Sequence, residues 1–391
     1  MKKKYAFHPS DYAIGETEKF YSDMAAKGWI LEKRHGSSSC FKKAEPQKLR
    51  YRVEVIPYSI FAKEEEKGPS GEQLSLFREC GWKYVTGSDF IHIFSTKIEN
   101  DAPEFYMQPE QQAPTIKKMR NRYILRCLLY LLAFFFYGFP IFSRDFSLLS
   151  FVNGSIAFFV DNPIFTITYY LFFISNIPIN LIGFIKLNKL YYQLKNGIPI
   201  DHSPKLKRFN IAPLLFDILL IACLISIFTI FPNKTYPLPT ESSGPYILLS
   251  DLGVEGTRED WVSGGMIYID NEVEYHNSLI TEHWYCEEHI ITRQISDNAY
   301  EFDILSHDVY RLNSKNLCIP LAKSLMICRT RADSTSDFME VEVSDFDHVW
   351  TYDDYWLIAI KDDYVYCIGR PHESGEELMI ILQAFAEKNY A

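Results

Sequence analysis

Residues 123–142 read YILRCLLYLLAFFFYGFPIF, and two further apolar runs follow at 164–185 and 211–231. A helix needs about 20 apolar residues to cross the hydrocarbon of a bilayer, and each run approaches that length. The sequence therefore predicts a membrane block of three transmembrane α-helices over residues 121–231. The mean hydropathy of −0.11 hides this block because polar segments flank it on both sides.

The two flanks of the block differ in charge. Residues 232–391 contain 11 Lys and Arg against 29 Asp and Glu, whereas the rest of the chain contains 29 against 21. Basic residues also cluster before the first run and between the second and third, at Lys117, Lys118, Arg120, Arg122, Lys186, Lys189, Lys195, Lys205, Lys207 and Arg208. The positive-inside rule predicts a multi-pass cell-membrane protein with a cytoplasmic N-terminus and an extracytoplasmic C-terminal domain. No apolar signal core follows Met1, so no cleaved secretory peptide is expected.

A fourth apolar segment, residues 146–160, makes the topology ambiguous. It is short for a transmembrane helix, and its crossing would place the two basic flanks on opposite sides of the membrane. We interpret it as an interfacial or re-entrant piece, and the spanning alternative would move the C-terminal domain inside.

Polar residues inside the predicted spans are candidate functional residues, because ionisable groups in hydrocarbon are costly. Asn180 and Asp217 lie at similar depth from the cytoplasmic ends of their helices, and Arg126 of the first helix approaches the same level. These three residues form a predicted intramembrane polar cluster. It either only holds the helices together or couples the outer domain to the inner one.

Residues 1–98 contain a repeated pattern in which a helical run ends in Gly28-Trp29 and again in Gly81-Trp82. A predicted strand precedes each helix and a strand pair follows it. The pattern predicts an α+β domain of two βαββ repeats that share one sheet. Residues 99–120 contain Pro103, Pro109 and Pro114 with little periodicity, which indicates a linker.

The N-terminal segments resemble a known family. They are Phe20-Tyr21-x-x-Met24-Ala25-x-x-Gly28-Trp29, Cys40-Phe41-Lys42, Tyr51-Arg52-Val53-Glu54, Gly81-Trp82-x-Tyr84-Val85 and Ile91-His92-Ile93-Phe94. They are similar to the bacterial membrane protein family named domain of unknown function 2812. Members are often found beside PadR-type transcriptional regulators, so the resemblance implies a regulatory or stress-response setting. It implies no catalytic residues and no cofactor.

Residues 232–391 show short alternating runs, including 356–360 and 364–368, and an amphipathic C-terminal segment over 378–385. These patterns predict an acidic α+β domain with mainly antiparallel strands and a terminal helix. Its four cysteines, Cys286, Cys318, Cys328 and Cys367, are either free thiols or two disulfides in any of three connectivities.

His283, Cys286 and His289 are weak candidates for a metal site, since imidazole and thiolate are zinc and copper ligands. On an extended strand Cys286 would face away from the two histidines, so the three ligands would not converge. The sequence therefore predicts no metal site and no cofactor.

The sequence favours a membrane protein without enzymatic activity and with a regulatory or sensory role. No nucleophile elbow, phosphate-binding Gly-rich loop or metalloprotease motif occurs, and the acidic C-terminal half argues against nucleic acid as a partner. The expected partner of the inner domain is a cytoplasmic regulatory protein or a small ligand. The alternatives are an ectodomain enzyme or metal-binding module, and an accessory subunit of a transporter. No pattern indicates an oligomeric state.

Overall fold

The computed structural model describes residues 2–59, 63, 67–142, 148–204, 212–230, 234–241, 244–258, 261–263, 266–269, 271–296, 299–330, 332–370 and 375–388. The chain divides into two compact units. Unit 1 contains Met1–Ala133 and Leu171–Ile221, and unit 2 contains Phe134–Tyr170 and Ala222–Ala391. Both units combine helices with antiparallel strands.

Unit 1 begins with two βαββ units. The first consists of β1 (Lys3–Phe7), α1 (Ile14–Ala26), β2 (Trp29–Arg34) and β3 (Ser38–Lys43), and the second of β4 (Leu49–Val55), α2 (Gly71–Glu79), β5 (Lys83–Ser88) and β6 (Ile91–Lys97). Gly28 and Gly81 follow the two helices with φ values of 77° and 87°. Glycine adopts this left-handed conformation without strain, which explains why both helices end there.

The two βαββ units do not share one sheet, and that prediction was wrong. The strands form two three-stranded antiparallel sheets, in the orders β1-β3-β2 and β4-β6-β5. Where β2 approaches β5, the backbone N–H of Arg34 donates to Oγ1 of Thr86 at 3.3 Å. The hydrophobic pattern predicted the strands correctly, but it contains no information about which edges pair.

The core of unit 1 combines the βαββ units with the ends of two long helices. The Tyr21 ring of α1 packs against Phe41 of β3 and Tyr51 of β4, with centroid separations of 6.1 Å and 5.8 Å. Ile116 and Leu187, from α3 (Ala113–Phe142) and α5 (Pro163–Lys195), are buried in the same cluster. Burial of each large apolar side chain stabilises the fold by roughly 1.5–3 kcal/mol, so these helix ends are part of the domain.

The prediction of three transmembrane helices is wrong. Among the described residues, Pro163–Lys195 is the one helix long and apolar enough to cross a membrane. The third predicted span forms α6 (Ala212–Ser226), whose 15 residues rise only about 22 Å, less than the roughly 30 Å of a hydrocarbon core. The first predicted span begins inside α3, where Tyr123 is already buried in the core of unit 1.

Residues predicted as a linker, 99–120, include packed structure. Nε1 of Trp82 donates to the carbonyl of Pro103 at 2.8 Å, and both Nε and Nη2 of Arg52 donate to Glu104 at 2.7 Å. Helix α3 then begins at Ala113.

The apolar segment 146–160 contributes to unit 2. Residues 143–147 lie outside the described part, and α4 (Leu148–Asp161) follows them. Val160 of α4 is buried in one core with Leu321 and Leu325 of α7 (Cys318–Cys328). This helix therefore buries apolar surface against protein.

The main sheet of unit 2 has the strand order β14-β15-β16-β17-β13-β12-β11-β7, with β8 paired to β12. Its strands are β7 (Lys234–Pro237), β8 (Thr257–Arg258), β11 (Glu272–Asn277), β12 (Thr281–Ser296), β13 (Ala299–Leu312), β14 (Met339–Glu340), β15 (His348–Tyr352), β16 (Trp356–Lys361) and β17 (Tyr364–Gly369). A separate hairpin consists of β9 (Trp261–Ser263) and β10 (Met266–Ile269).

Both faces of this sheet are covered. Leu357 and Ala359 of β16 pack in one core with Leu382 of α8 (Gly375–Lys388), whereas Ile358 and Ile360 pack in another core with α7. Successive side chains of a strand point to opposite faces, so one apolar run supplies two cores. The cysteines Cys286, Cys318, Cys328 and Cys367 are free thiols.

Candidate functional site

A cavity of about 380 Å³ in unit 1 lies where the βαββ units meet α3 and α5. It is lined by His8, Pro9, Ser10, Asp11, Tyr12, Arg34, Gly36, Ser37, Ser88, Asp89, Tyr123, Arg126, Tyr130, Asn176, Ile179 and Asn180. The lining thus combines three loops of the βαββ units with one wall from each helix. Such a shared cavity is the best candidate for a binding or coupling site.

The hairpin turn between β5 and β6 positions Asp89, which has a φ of 54°. Aspartate tolerates this left-handed conformation better than most residues, so it can close the turn.

Asp89 holds helix α3 through two guanidinium groups. Arg122 donates to Oδ1 of Asp89, and Arg126 donates to Oδ2 at 3.3 Å. The hydroxyl of Tyr58 also donates to Oδ1, at 2.8 Å. Charge-assisted contacts of this kind are among the stronger hydrogen bonds, and they fix the turn to two successive turns of α3.

A buried charge pair forms another wall of the cavity. Arg34 donates to Oδ1 of Asp11 and to the hydroxyl of Tyr21, both at 2.5 Å, and only 1% of its side chain is exposed. Burial raises the pKa of Tyr21, so this phenol stays protonated. Because a buried guanidinium without a partner would be very costly, Asp11 is held firmly beside it.

Helix α5 contributes two buried amides to the cavity. Nδ2 of Asn176 donates to the carbonyl of Phe172 at 2.7 Å, and Nδ2 of Asn180 donates to the carbonyl of Asn176 at 2.9 Å. Each amide nitrogen has two hydrogens; that of Asn176 also donates to Oγ of Ser175 at 3.4 Å, whereas that of Asn180 keeps a second donor for a ligand.

Two of the three residues of the predicted intramembrane polar cluster line this cavity. Arg126 and Asn180 line it together, and Arg126 pairs with Asp89. Asp217 belongs to α6, but its side chain lies outside the described part. Sequence reasoning missed Asp89, Asp11 and Arg34. The one available signal was the repeated aspartate in polar turn segments, which is also typical of ordinary loops.

His283, Cys286 and His289 do not converge in unit 2. His283 lies within 3.0 Å of Asp161 and of Asp308, whereas Cys286 belongs to the core on the other face of the sheet. The ring of His289 packs on Phe302 with a centroid separation of 5.2 Å. Among the described residues, no group of three or more His, Cys, Asp or Glu could hold a metal ion.

Residues 13–128 match the family described as Protein of unknown function (DUF2812). The chain therefore contains a DUF2812 domain, as the resemblance of its N-terminal motifs indicated. The matched segment includes Asp89, Arg122 and Arg126, and it ends inside α3. No curated protein and no solved structure matches the chain.

Proposed function

We propose that the protein is a membrane-attached regulatory or sensory protein without enzymatic activity, in which the DUF2812 domain responds to movements of α3. The ion cluster formed by Asp89, Arg122 and Arg126 carries this proposal, because it links a hairpin turn of the domain to the helix. A displacement of α3 by one turn, about 5.4 Å, would change which arginine faces Asp89 and would therefore change the cavity.

Exposed apolar surface supports attachment to a membrane. In the most apolar 18-residue stretch of α5, only 33% of the residues are buried. The side chains of Ile174 and Ile185 are 65% and 56% exposed. Leu125, Leu128 and Leu129 of α3 are also more than half exposed. Large contiguous apolar patches mark interaction or membrane surfaces.

Basic residues support an orientation for this surface. Lys186, Lys189 and Lys195 lie near the C-terminal end of α5, and the DUF2812 domain packs against the same end. The positive-inside rule then places this end of the helix and the domain on the cytoplasmic side. A cytoplasmic regulatory protein or a small ligand would be the partner of the domain there.

Amide hydrogen exchange on the full chain in nanodiscs tests the coupling. The variant Asp89→Asn removes the charge that holds both arginines, so exchange should become faster in residues 88–91 and also in residues 119–126 of α3. Asp23→Asn is the matched control, since Asp23 is ion-paired with Lys19 within α1. Faster exchange confined to the turn, with α3 unchanged, would show that the domain and the helix are not coupled.

A further inference from the structure

The charged side chains that line the cavity in unit 1 balance one another, and a surplus of positive charge comes from Arg122, which pairs with Asp89 from outside the lining. Asp11 is matched by Arg34, but the carboxylate of Asp89 is shared by Arg122 and Arg126. One carboxylate between two guanidinium groups leaves a net charge of about +1 at this wall. An anion would neutralise it.

Arg126 is the arginine of this ion cluster that lines the cavity. Among the residues that the structure describes, it pairs with Asp89 alone, through one of its five N–H donors. Lys186 adds further positive charge nearby, with its ammonium 4.7 Å from the centroid of the Tyr12 ring. With Arg122 and Lys186 close to its lining, the cavity favours an anion over a cation.

A buried hydrogen-bond donor faces the same space. Asn180 is only 7% exposed, yet it lines the cavity, and one hydrogen of its Nδ2 is used by the carbonyl of Asn176. The second hydrogen can donate to an oxygen of a bound anion.

Apolar surface lies directly beside these polar groups. Leu125 and Leu129 flank Arg126 on α3, and Leu181 and Ile182 follow Asn180 on α5, all of them exposed. A ligand that suits this arrangement has an anionic head and an apolar tail. Basic pockets between helices at a membrane surface commonly take such lipid headgroups.

We propose that the cavity binds the phosphate of an anionic phospholipid, with Arg126 and Asn180 as its donors and the acyl chains against the exposed leucines of α3. The proposal rests on the membrane attachment proposed above. The fraction of DUF2812 domains with bound lipid would then depend on the content of anionic phospholipid in the membrane.

Native mass spectrometry of the full chain, released from nanodiscs of phosphatidylcholine with or without phosphatidylglycerol, tests the proposal. Wild type should retain phosphatidylglycerol in preference to phosphatidylcholine. Arg126→Gln keeps hydrogen-bond donors but removes the charge, and it should weaken retention roughly tenfold or more. Arg78→Gln, an exposed arginine on α2, is the matched control and should retain the lipid like wild type.

Asp89→Asn separates lipid binding from a purely structural role of Arg126. If Arg126 only pairs with Asp89, both variants should have the same effect. If it binds lipid phosphate, Asp89→Asn releases both guanidinium groups and should strengthen retention of phosphatidylglycerol, opposite in sign to Arg126→Gln.

Four outcomes would overturn the proposal: the same effect of Asp89→Asn and Arg126→Gln, equal retention of both lipids, no effect of Arg126→Gln, or thermal stabilisation of the detergent-solubilised chain by inorganic phosphate equal to that by phosphatidylglycerol. Each of them leaves membrane attachment intact, because attachment is measured by fractionation with phosphatidylcholine alone. Failure to attach to any membrane would instead remove the proposed function.

Discussion

At the scale of single residues, the most unusual environment is that of His283 in unit 2. Nδ1 lies 3.0 Å from Asp161 of α4, Nε2 lies 3.0 Å from Asp308 of β13, and the ring stacks on Tyr310. Burial alone would lower the pKa of His283, but the two carboxylates outweigh it and raise the pKa to about 9. Arg329 also donates to Asp308, at 2.7 Å. His283 therefore joins α4 to the sheet as a buried cation.

This arrangement predicts a loss of stability at high pH. A histidine whose folded pKa is raised stabilises the fold fully below its unfolded pKa of roughly 6.5, and the contribution disappears as the pH rises through about 9. Denaturant unfolding of the full chain should show a falling free energy between these values. His283→Gln should abolish the fall, whereas His348→Gln, at an exposed ion pair with Glu340, should preserve it. Identical slopes for wild type and His283→Gln would contradict the assignment.

A second buried histidine acts in a different pH range. Burial lowers the pKa of His307 to about 4, so it is neutral in the folded protein and opposes folding only as the pH falls below roughly 6.5. The two histidines can thus be distinguished in one titration.

The sequence analysis named His283 as a weak candidate for a metal ligand, whereas in the fold it lies between two carboxylates. Alternation along an extended strand predicts that Cys286 faces away from His283 and His289. The partners Asp161 and Asp308 could not be predicted, because they lie 122 and 25 residues away in the chain and are brought near only by the fold. The same applies to Arg126, whose partner Asp89 lies on a hairpin turn.

At the scale of elements, α1 depends on a close approach of the backbone after α5. A Cβ on Gly15 would lie 1.9 Å from the carbonyl oxygen of Asp201, and the neighbouring His202 contacts Glu18 one turn further along α1 at 2.5 Å. Glycine at this position allows the loop to pack directly on the helix.

Gly15→Ala should therefore destabilise the protein despite the higher helix propensity of alanine. Overpacking against backbone costs typically about 1–3 kcal/mol, which exceeds the roughly 0.5–1 kcal/mol that alanine contributes in a helix. Gly71→Ala is the matched control at the start of α2, where nothing lies within 4 Å of the added Cβ. Thermal melts of the solubilised chain should show a lower melting temperature for Gly15→Ala and an unchanged or higher one for Gly71→Ala. Similar melting temperatures for the two variants would exclude the close approach.

Elements with a clear local sequence pattern could be predicted from the sequence. Elements whose environment depends on distant packing partners could not. The run of residues 356–360 is apolar at every position because both faces of β16 are buried, and it was predicted as a strand. The apolar runs within α3 and α6 were predicted as transmembrane helices by the same reasoning from local hydrophobicity. Local hydrophobicity reports neither where a helix packs on protein nor where it ends, so the burial of Tyr123 in the core of unit 1 and the 15-residue length of α6 could not be predicted.

At the scale of the whole molecule, the DUF2812 domain is completed by distant segments. Its core includes Ile116 and Met119 of α3 as well as Leu187 and Leu194 of α5. The sequence analysis ended the N-terminal domain at residue 98, where the composition changes. A change in composition shows where a local pattern stops, but it does not show which later segments pack into the core of the domain. Contact order of this kind has no local signature in a sequence.

The exposed apolar side of α5 leads to the prediction that distinguishes a membrane-attached protein from one that stays in water. Ile174 of α5 is 65% exposed and Leu76 of α2 is 58% exposed, so both offer an apolar side chain to the surroundings. In water, lysine at either position should be harmless. In hydrocarbon, lysine near the centre of a helix costs about 2.5–3.5 kcal/mol on insertion scales. Ile174→Lys should therefore reduce the membrane fraction strongly, while Leu76→Lys should fractionate like wild type. Recovery of wild type in the soluble fraction, with neither substitution changing it, would contradict attachment through α5.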